Sequence, residues 1–152
     1  MSSSAPLSGP SRMLPLVARL IPGRDREARL RSLALTHGTY YTVTGIWPVI
    51  DIRSFQALTG RKRDIWLVKT AGLLIACIGL VLSMAGIRRT TEPAIPVLGV
   101  TSALSLAGID IVYVGRRVIP PIYLADAAAE IALVMGWLAA STAPIQKGSG
   151  RM

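Results

Sequence analysis

The sequence holds very few of the residues that build metal centres, disulfides and most catalytic sites. It contains one cysteine, Cys77, and one histidine, His37, among 152 residues. A single cysteine excludes an intramolecular disulfide and a cysteine-based zinc site. Cys77 lies inside a long apolar segment, where we expect an unreactive, buried thiol. Phosphate loops, dinucleotide fingerprints and Ser-His-Asp patterns are also missing, so the sequence predicts no metal, no cofactor and no catalytic residue.

Charged residues are scarce as well. Only 16% of the chain is Asp, Glu, Lys or Arg, whereas 51% is hydrophobic, and the mean hydropathy is +0.50. Soluble domains carry more charge, so this composition indicates a membrane protein. The net charge is +9, but the basic residues gather at the ends of apolar segments and in the N-terminal arm. Because basic and aromatic residues do not alternate, the pattern favours anionic lipid headgroups over nucleic acid as partners.

Four long apolar segments make up most of the sequence after the N-terminal arm. They predict an all-α polytopic membrane protein, an antiparallel bundle of four transmembrane helices. The spans cover about residues 33–50, 65–87, 94–114 and 121–140. Since the loops are short, neighbouring spans must run in opposite directions. We divide the chain into a poorly ordered arm (1–23), a membrane domain (24–143) and a flexible tail (144–152).

The ends of these segments carry recognisable signals. A basic juxtamembrane helix, residues 24–36, leads into span 1, which is the most polar span. We expect Pro48 to kink or end that span near Thr44, because proline lacks the backbone N–H that a helix needs. Residues 54–58 predict a short interfacial helix. Asp64 stands at a favourable N-cap position before span 2.

Four ionisable residues interrupt the apolar segments: Lys69, Asp110, Asp126 and Glu130. A charge in hydrocarbon costs about 2.5–3.5 kcal/mol on insertion scales, so such residues are usually paired or functional. Lys69 and Asp110 each continue a stripe of small residues, which marks a helix-packing face. Asp126 and Glu130 share one helical face, with Tyr123 one turn earlier. At a rise of about 1.5 Å per residue, all four charges fall in one leaflet, and Glu130 is the deepest.

This set of ionisable residues, with Tyr123, is the candidate ligand-binding site, and three functions are open for it. The acids could anchor a small amphipathic, amine-bearing or lipid-like ligand in a polar pocket. They could instead be structural and pair with Lys69 or nearby arginines in a scaffold or accessory subunit. Glu130 could also serve as the titrating group of a small proton-coupled carrier or membrane enzyme. The sequence favours a non-enzymatic role over an enzyme.

The distribution of lysine and arginine gives an orientation. Ten of them flank the spans on the side that holds both termini, and six lie on the other side. This bias predicts that both termini lie in the cytoplasm, although the triplet Arg61-Lys62-Arg63 argues for the reverse. His37 is predicted to lie at the opposite end of the bundle from the acids, as a polar interface residue. Four short spans are few for a transporter, which leaves a homo-oligomer open.

Parts of the chain resemble small four-span bacterial integral membrane proteins of uncharacterised function. The residues that carry the resemblance are Gly45-Ile46-Trp47-Pro48, Ser54-Phe55, Thr59-Gly60-Arg61-Lys62-Arg63-Asp64-Ile65-Trp66-Leu67-Val68, and Tyr123-Leu124-Ala125-Asp126 with Glu130. The resemblance extends over about residues 36–140 and implies no activity. The layout is also similar to that of EXPERA-type sterol isomerases and the sigma-2 receptor. That similarity implies a lateral lipid pocket by analogy of architecture, without shared sequence motifs.

Overall fold

A computed structural model describes residues 22–90 and 92–142, and within these residues the chain forms five α-helices and no strand. We label them α1 (Pro22–Ile50), α2 (Ile52–Thr59), α3 (Ile65–Arg88), α4 (Ala94–Gly115) and α5 (Tyr123–Ser141). The predicted all-α class is confirmed. Residues 1–21 of the predicted arm and the predicted tail lie outside the described residues, and residues 22–23 already belong to α1.

Three of these helices, α3, α4 and α5, are long and apolar enough to cross a membrane. They contain 24, 22 and 19 residues. At about 1.5 Å per residue, such lengths match a hydrocarbon core of about 30 Å. Their outward faces carry large apolar side chains that a water-soluble protein would bury, among them Leu74, Ile87 and Met135. These properties are compatible with a multi-pass membrane protein.

The long polar helix α1 contacts all three apolar helices. It packs most extensively against α3 and touches α5 and α4 over much smaller areas, and α3 and α4 also barely touch each other. His37, Tyr41 and Ala34 on α1 are buried by these neighbours. Buried polar side chains need partners, so the least apolar helix gains most from contacts on several sides.

Small residues allow α1 and α3 to approach backbone to backbone. A Cβ atom on Gly45 would lie 2.5 Å from the carbonyl oxygen of Gly72, and one on Gly79 would lie 2.5 Å from the backbone nitrogen of Thr42. Real Cβ atoms do not come so close, so glycine is required at both positions. The pairs 45/72 and 42/79 also show that the two helices run antiparallel. The small-residue stripe predicted in span 2 is thus a packing face toward α1.

The helices α4 and α5 form a second antiparallel pair. Near the start of α4, a Cβ atom on Gly99 would lie 2.6 Å from the indole nitrogen of Trp137 in α5. Near the end of α4, the carboxyl group of Asp110 approaches that of Asp126. Asp110 and the small residues that precede it on this face are buried, namely Gly99, Ala103 and Ala107. This burial confirms the packing face predicted for span 3.

The first and last predicted spans differ from the observed helices at their boundaries. The basic juxtamembrane segment and span 1 form one helix that continues past Pro48 to Ile50, so the helix does not end near Thr44. Pro48 falls in the last turn, where its missing N–H removes only one hydrogen bond. The last span begins at Tyr123 rather than at residue 121. The carbonyl oxygens of residues 120–122 accept turn hydrogen bonds before the regular helix starts.

Two aspartates precede helices and behave differently. The Asp51 carboxylate caps α2 by accepting hydrogen bonds from the backbone N–H groups of Arg53 at 3.0 Å and Ser54 at 3.1 Å. The hydrogen bonds from Ser54 lower the pKa of the Asp51 carboxyl group below its ordinary value. This cap begins α2 at Ile52, two residues before the predicted start. Asp64 occupies the N-cap position of α3, as predicted, but makes no side-chain capping hydrogen bond.

Candidate functional site

The three acidic residues of the predicted site come together between α1, α4 and α5. Glu130 is 1% exposed and Asp110 is 7% exposed, while Asp126 is half-buried. The Asp126 carboxyl group interacts with that of Asp110, and both act electrostatically on Glu130. We call Asp110, Asp126 and Glu130 the acid cluster. The structure therefore brings together the three carboxyl groups that the sequence placed in one leaflet.

Two consecutive tyrosines of α1 donate hydrogen bonds to the acid cluster. The Tyr41 hydroxyl donates to Oε2 of Glu130 at 2.9 Å, and the Tyr40 hydroxyl donates to Oδ1 of Asp126. Asp126 and Glu130 lie one turn apart, so two adjacent side chains on the facing helix can reach both. Sequence reasoning missed these tyrosines because they carry no charge. Their tandem position inside a predicted span was the only available signal.

Asp110 has no tyrosine partner. Its Oδ2 atom is buried and has no hydrogen-bond partner among the described residues. Leaving a buried polar atom unsatisfied costs about 1–3 kcal/mol, and more for a charged group. Asp110 therefore presents a buried oxygen, next to the Asp126 carboxyl group, that receives no hydrogen bond from an N–H or O–H donor of the described residues.

The lysine beside the acid cluster is Lys62, not Lys69. Lys62 lies in the loop between α2 and α3, and it is the cation that acts on Asp110. Lys69 precedes Gly72 by three residues on α3, and a Cβ atom on Gly72 would meet Gly45 and Pro48 of α1. The helix α3 packs mainly against α1 and barely touches α4. Lys69 is half-buried on α3 and is not brought into the acid cluster.

Tyr123 holds Lys62 near the acid cluster. The Lys62 ammonium nitrogen lies 4.8 Å from the centroid of the Tyr123 ring, within the range of a cation–π contact. Tyr123 precedes Asp126 by three residues, so both occupy one face of α5. The loop itself rests on the α4–α5 connection: Gly60 has a φ of +80°, and a Cβ atom there would lie 3.1 Å from Cγ of Pro120.

His37 extends the polar contacts beyond Glu130. The imidazole is fully buried, and its ring centroid lies 4.2 Å from that of Tyr41. The Trp137 indole N–H donates to Nδ1 of His37 at 3.1 Å, so a neutral ring must carry its proton on Nε2. Nε2 has no partner among the described residues. The prediction that His37 lies at the opposite end from the acids is wrong, because it sits one helical turn from Tyr41.

No family model, curated protein or solved structure matches the chain. What the site can bind must therefore follow from its own groups. Across the described residues, no three His, Cys, Asp or Glu side chains are arranged to hold a metal ion. The acid cluster instead presents carboxylate oxygens, two tyrosine hydroxyls and a lysine at its edge. Such a set suits a ligand that donates hydrogen bonds or carries positive charge.

Proposed function

We propose that the chain is a four-span protein of a bacterial inner membrane that binds a small amphipathic or lipid-like molecule through the acid cluster. In this proposal α1 is the fourth span, beside α3, α4 and α5. Both termini lie in the cytoplasm, and the acid cluster lies in the outer leaflet, as the lysine and arginine bias favours.

The packing of α1 supports its role as a span. It lies against α3 through contacts at Gly45 and Gly79 that allow no side chain between the two backbones. The Thr42 and Thr44 hydroxyls donate to the carbonyl oxygens of Gly38 and Tyr40, both at 2.7 Å. Hydroxyl groups satisfied within their own helix cost less in hydrocarbon, so the threonines of α1 are compatible with a place in the bilayer.

The observation that carries the ligand proposal is the unpartnered, buried Oδ2 atom of Asp110 within the acid cluster. Buried polar atoms almost always have a partner, so an orphan beside two further acids indicates a place for a donor group. Large apolar side chains nearby are exposed on the outer faces of α4 and α5, among them Ile109, Leu124 and Ile131. A ligand with a polar head and an apolar tail would match both features.

Replacing Asp110 by leucine tests this proposal. We expect dodecylamine or dodecanol to raise the melting temperature of the wild type in a nonionic detergent by several degrees, because a ligand that binds only the folded state stabilises it. The Asp110→Leu variant should lose at least about tenfold in affinity for the active probe. Thr101→Leu is the control, since Thr101 is an exposed polar residue on the same helix. Equal responses of both variants, or no response of the wild type, would contradict the proposal.

The two tyrosine hydrogen bonds favour a second candidate, a scaffold or accessory protein in which the acids are structural. The Tyr41–Glu130 bond joins α1 to α5 at a fully buried position. Hydrogen bonds between membrane helices contribute about 0.6 kcal/mol on average and up to about 1.7 kcal/mol. The acid cluster would then hold α1 in place and bind nothing.

A double-mutant cycle with Tyr41→Phe and Glu130→Leu measures this structural role. We expect a coupling free energy of about 1 kcal/mol in unfolding by denaturing detergent, since each single change removes the same hydrogen bond. The control cycle pairs Tyr41→Phe with Thr101→Leu and should give a coupling near zero, because the exposed Thr101 hydroxyl donates only to carbonyl oxygens of its own helix. Coupling without any response to the amphipathic probes would favour the scaffold. A coupling indistinguishable from the control would mean that this bond does not hold α1 to α5.

A further inference from the structure

We propose that the acid cluster selects amphipathic molecules that carry an ammonium group, and that Lys62 is a resident counter-ion that the ligand ammonium displaces. This inference rests on the proposed function and specifies the headgroup of its ligand. It also assigns a role to a loop residue outside the predicted site.

The balance of charge at the site favours a cationic headgroup. Tyr40 and Tyr41 donate hydrogen bonds to the acid cluster but bring no positive charge. Within the described residues, Lys62 is the cation that acts on Asp110, and it belongs to a loop. Three carboxyl groups with one lysine at their edge leave room for a further positive charge, because neighbouring carboxylates disfavour one another in a low-dielectric setting.

The donor pattern of the headgroup distinguishes an ammonium from a hydroxyl group. An ammonium carries three N–H donors and no acceptor, so it can satisfy the orphan Oδ2 of Asp110 and still donate to Asp126 and Glu130. A hydroxyl group has one donor, and its oxygen lone pairs would face carboxylate oxygens. Bonds to charged donors are also shorter and stronger than neutral ones. The acid cluster therefore matches the ammonium better.

Lys62 shows how this site accommodates an ammonium. Its nitrogen lies over the face of Tyr123, which stands one turn before Asp126 on α5. The lysine side chain is flexible and reaches in from the loop between α2 and α3, so its ammonium can withdraw without unfolding a helix. A ligand ammonium that enters beside α5 would displace it from the face of the Tyr123 ring and take over its electrostatic attraction to the Asp110 carboxyl group.

The experiment compares dodecylamine, dodecanol and dodecanoate as probes of thermal unfolding of the full chain in a nonionic detergent. We expect dodecylamine to bind most tightly and dodecanoate least. Lys62→Gln should tighten dodecylamine binding about fivefold, since the resident ammonium no longer competes. Lys62→Arg, which keeps the charge, should stay near the wild type. Arg61→Gln is the matched control, because it removes one exposed positive charge from the same loop.

The outcomes separate this inference from the proposed function. Dodecanol binding as tightly as dodecylamine, with both lost in Asp110→Leu, would overturn the amine selectivity and leave the proposed function intact. Binding of no probe would overturn both. If Arg61→Gln tightened dodecylamine binding as much as Lys62→Gln, only general charge would matter, and the counter-ion role would be overturned. The unfolding transition of each variant without probe reports whether it is folded.

Discussion

Replacing Gly79 by valine is expected to separate α1 from α3 and to lower the free energy of unfolding by about 3 kcal/mol. A Cβ atom at this position would lie 2.5 Å from the backbone nitrogen of Thr42 and 2.7 Å from the carbonyl oxygen of Gly38. Two of the obstructing atoms are backbone atoms of α1, so no rotamer change can relieve the overlap. Unfolding of the purified protein by denaturing detergent, followed by circular dichroism, gives the free-energy difference.

Gly108→Val provides a matched control for the change at Gly79. Both glycines lie inside apolar helices, but a Cβ atom at Gly108 would meet nothing within 4 Å. We expect its effect to stay within about 0.5 kcal/mol, as for substitutions without packing consequences. Similar losses for the two variants would show that the close approach of α1 and α3 does not stabilise the fold.

The local features of the sequence predicted most of the helices well. The bounds of α3 and α4 differ from the predicted spans by one residue at the C-terminal end. Long apolar runs set their lengths, and the arginine pair at 88 and 89 ends α3, where Arg89 adopts a left-handed conformation with a φ of 55°. Helix lengths and helix ends are determined by residues close together along the chain, so they can be predicted from a single sequence.

The partners of each helix could not be predicted in the same way. A stripe of small residues shows that a face packs, but it does not identify the helix that covers it. Lys69 continues the stripe of α3, yet that face meets α1 rather than α4 and α5, which carry the three acids. The nearby lysine, Lys62, comes from a loop whose position depends on tertiary contacts such as that of Gly60 with Pro120. The acids were found because charge in an apolar run is a local signal.

The uncharged members of the site were missed for a related reason. Tyr40, Tyr41 and His37 reach α5 only because α1 runs antiparallel to it in one particular register. That register pairs residue 37 with 137 and residue 41 with 130. Side-chain hydrogen bonds between helices about 90 residues apart in sequence have no local signature. The sequence predicted the site as a group of charged residues, whereas in the structure the acids are also hydrogen-bonded to tyrosines of another helix.

Replacing Trp137 by alanine is also expected to lower the free energy of unfolding strongly, because three helices meet at this side chain. Its side chain is 1% exposed, packs against Gly99 of α4, and donates to His37 of α1. Trp137→Ala would leave a cavity at this junction and both ring nitrogens of His37 without partners. From buried tryptophan truncations we expect a loss of about 3–5 kcal/mol in the free energy of unfolding, measured in the same denaturing-detergent titration.

Two further variants resolve what Trp137 contributes. Trp66→Ala removes the same side chain at a position that is 70% exposed, so it should change the free energy of unfolding little. Trp137→Phe keeps most of the ring volume and removes only the indole donor, which predicts a loss of about 1–2 kcal/mol. If Trp137→Phe were as damaging as Trp137→Ala, the hydrogen bond to His37 would dominate over packing. If Trp137→Ala were as mild as Trp66→Ala, the junction of α1, α4 and α5 at Trp137 would contribute little to the stability of the fold. The contact of His37 with Trp137 and that of Tyr41 with Glu130 belong to the same register of α1 against α5, because His37 and Tyr41 lie one turn apart on α1.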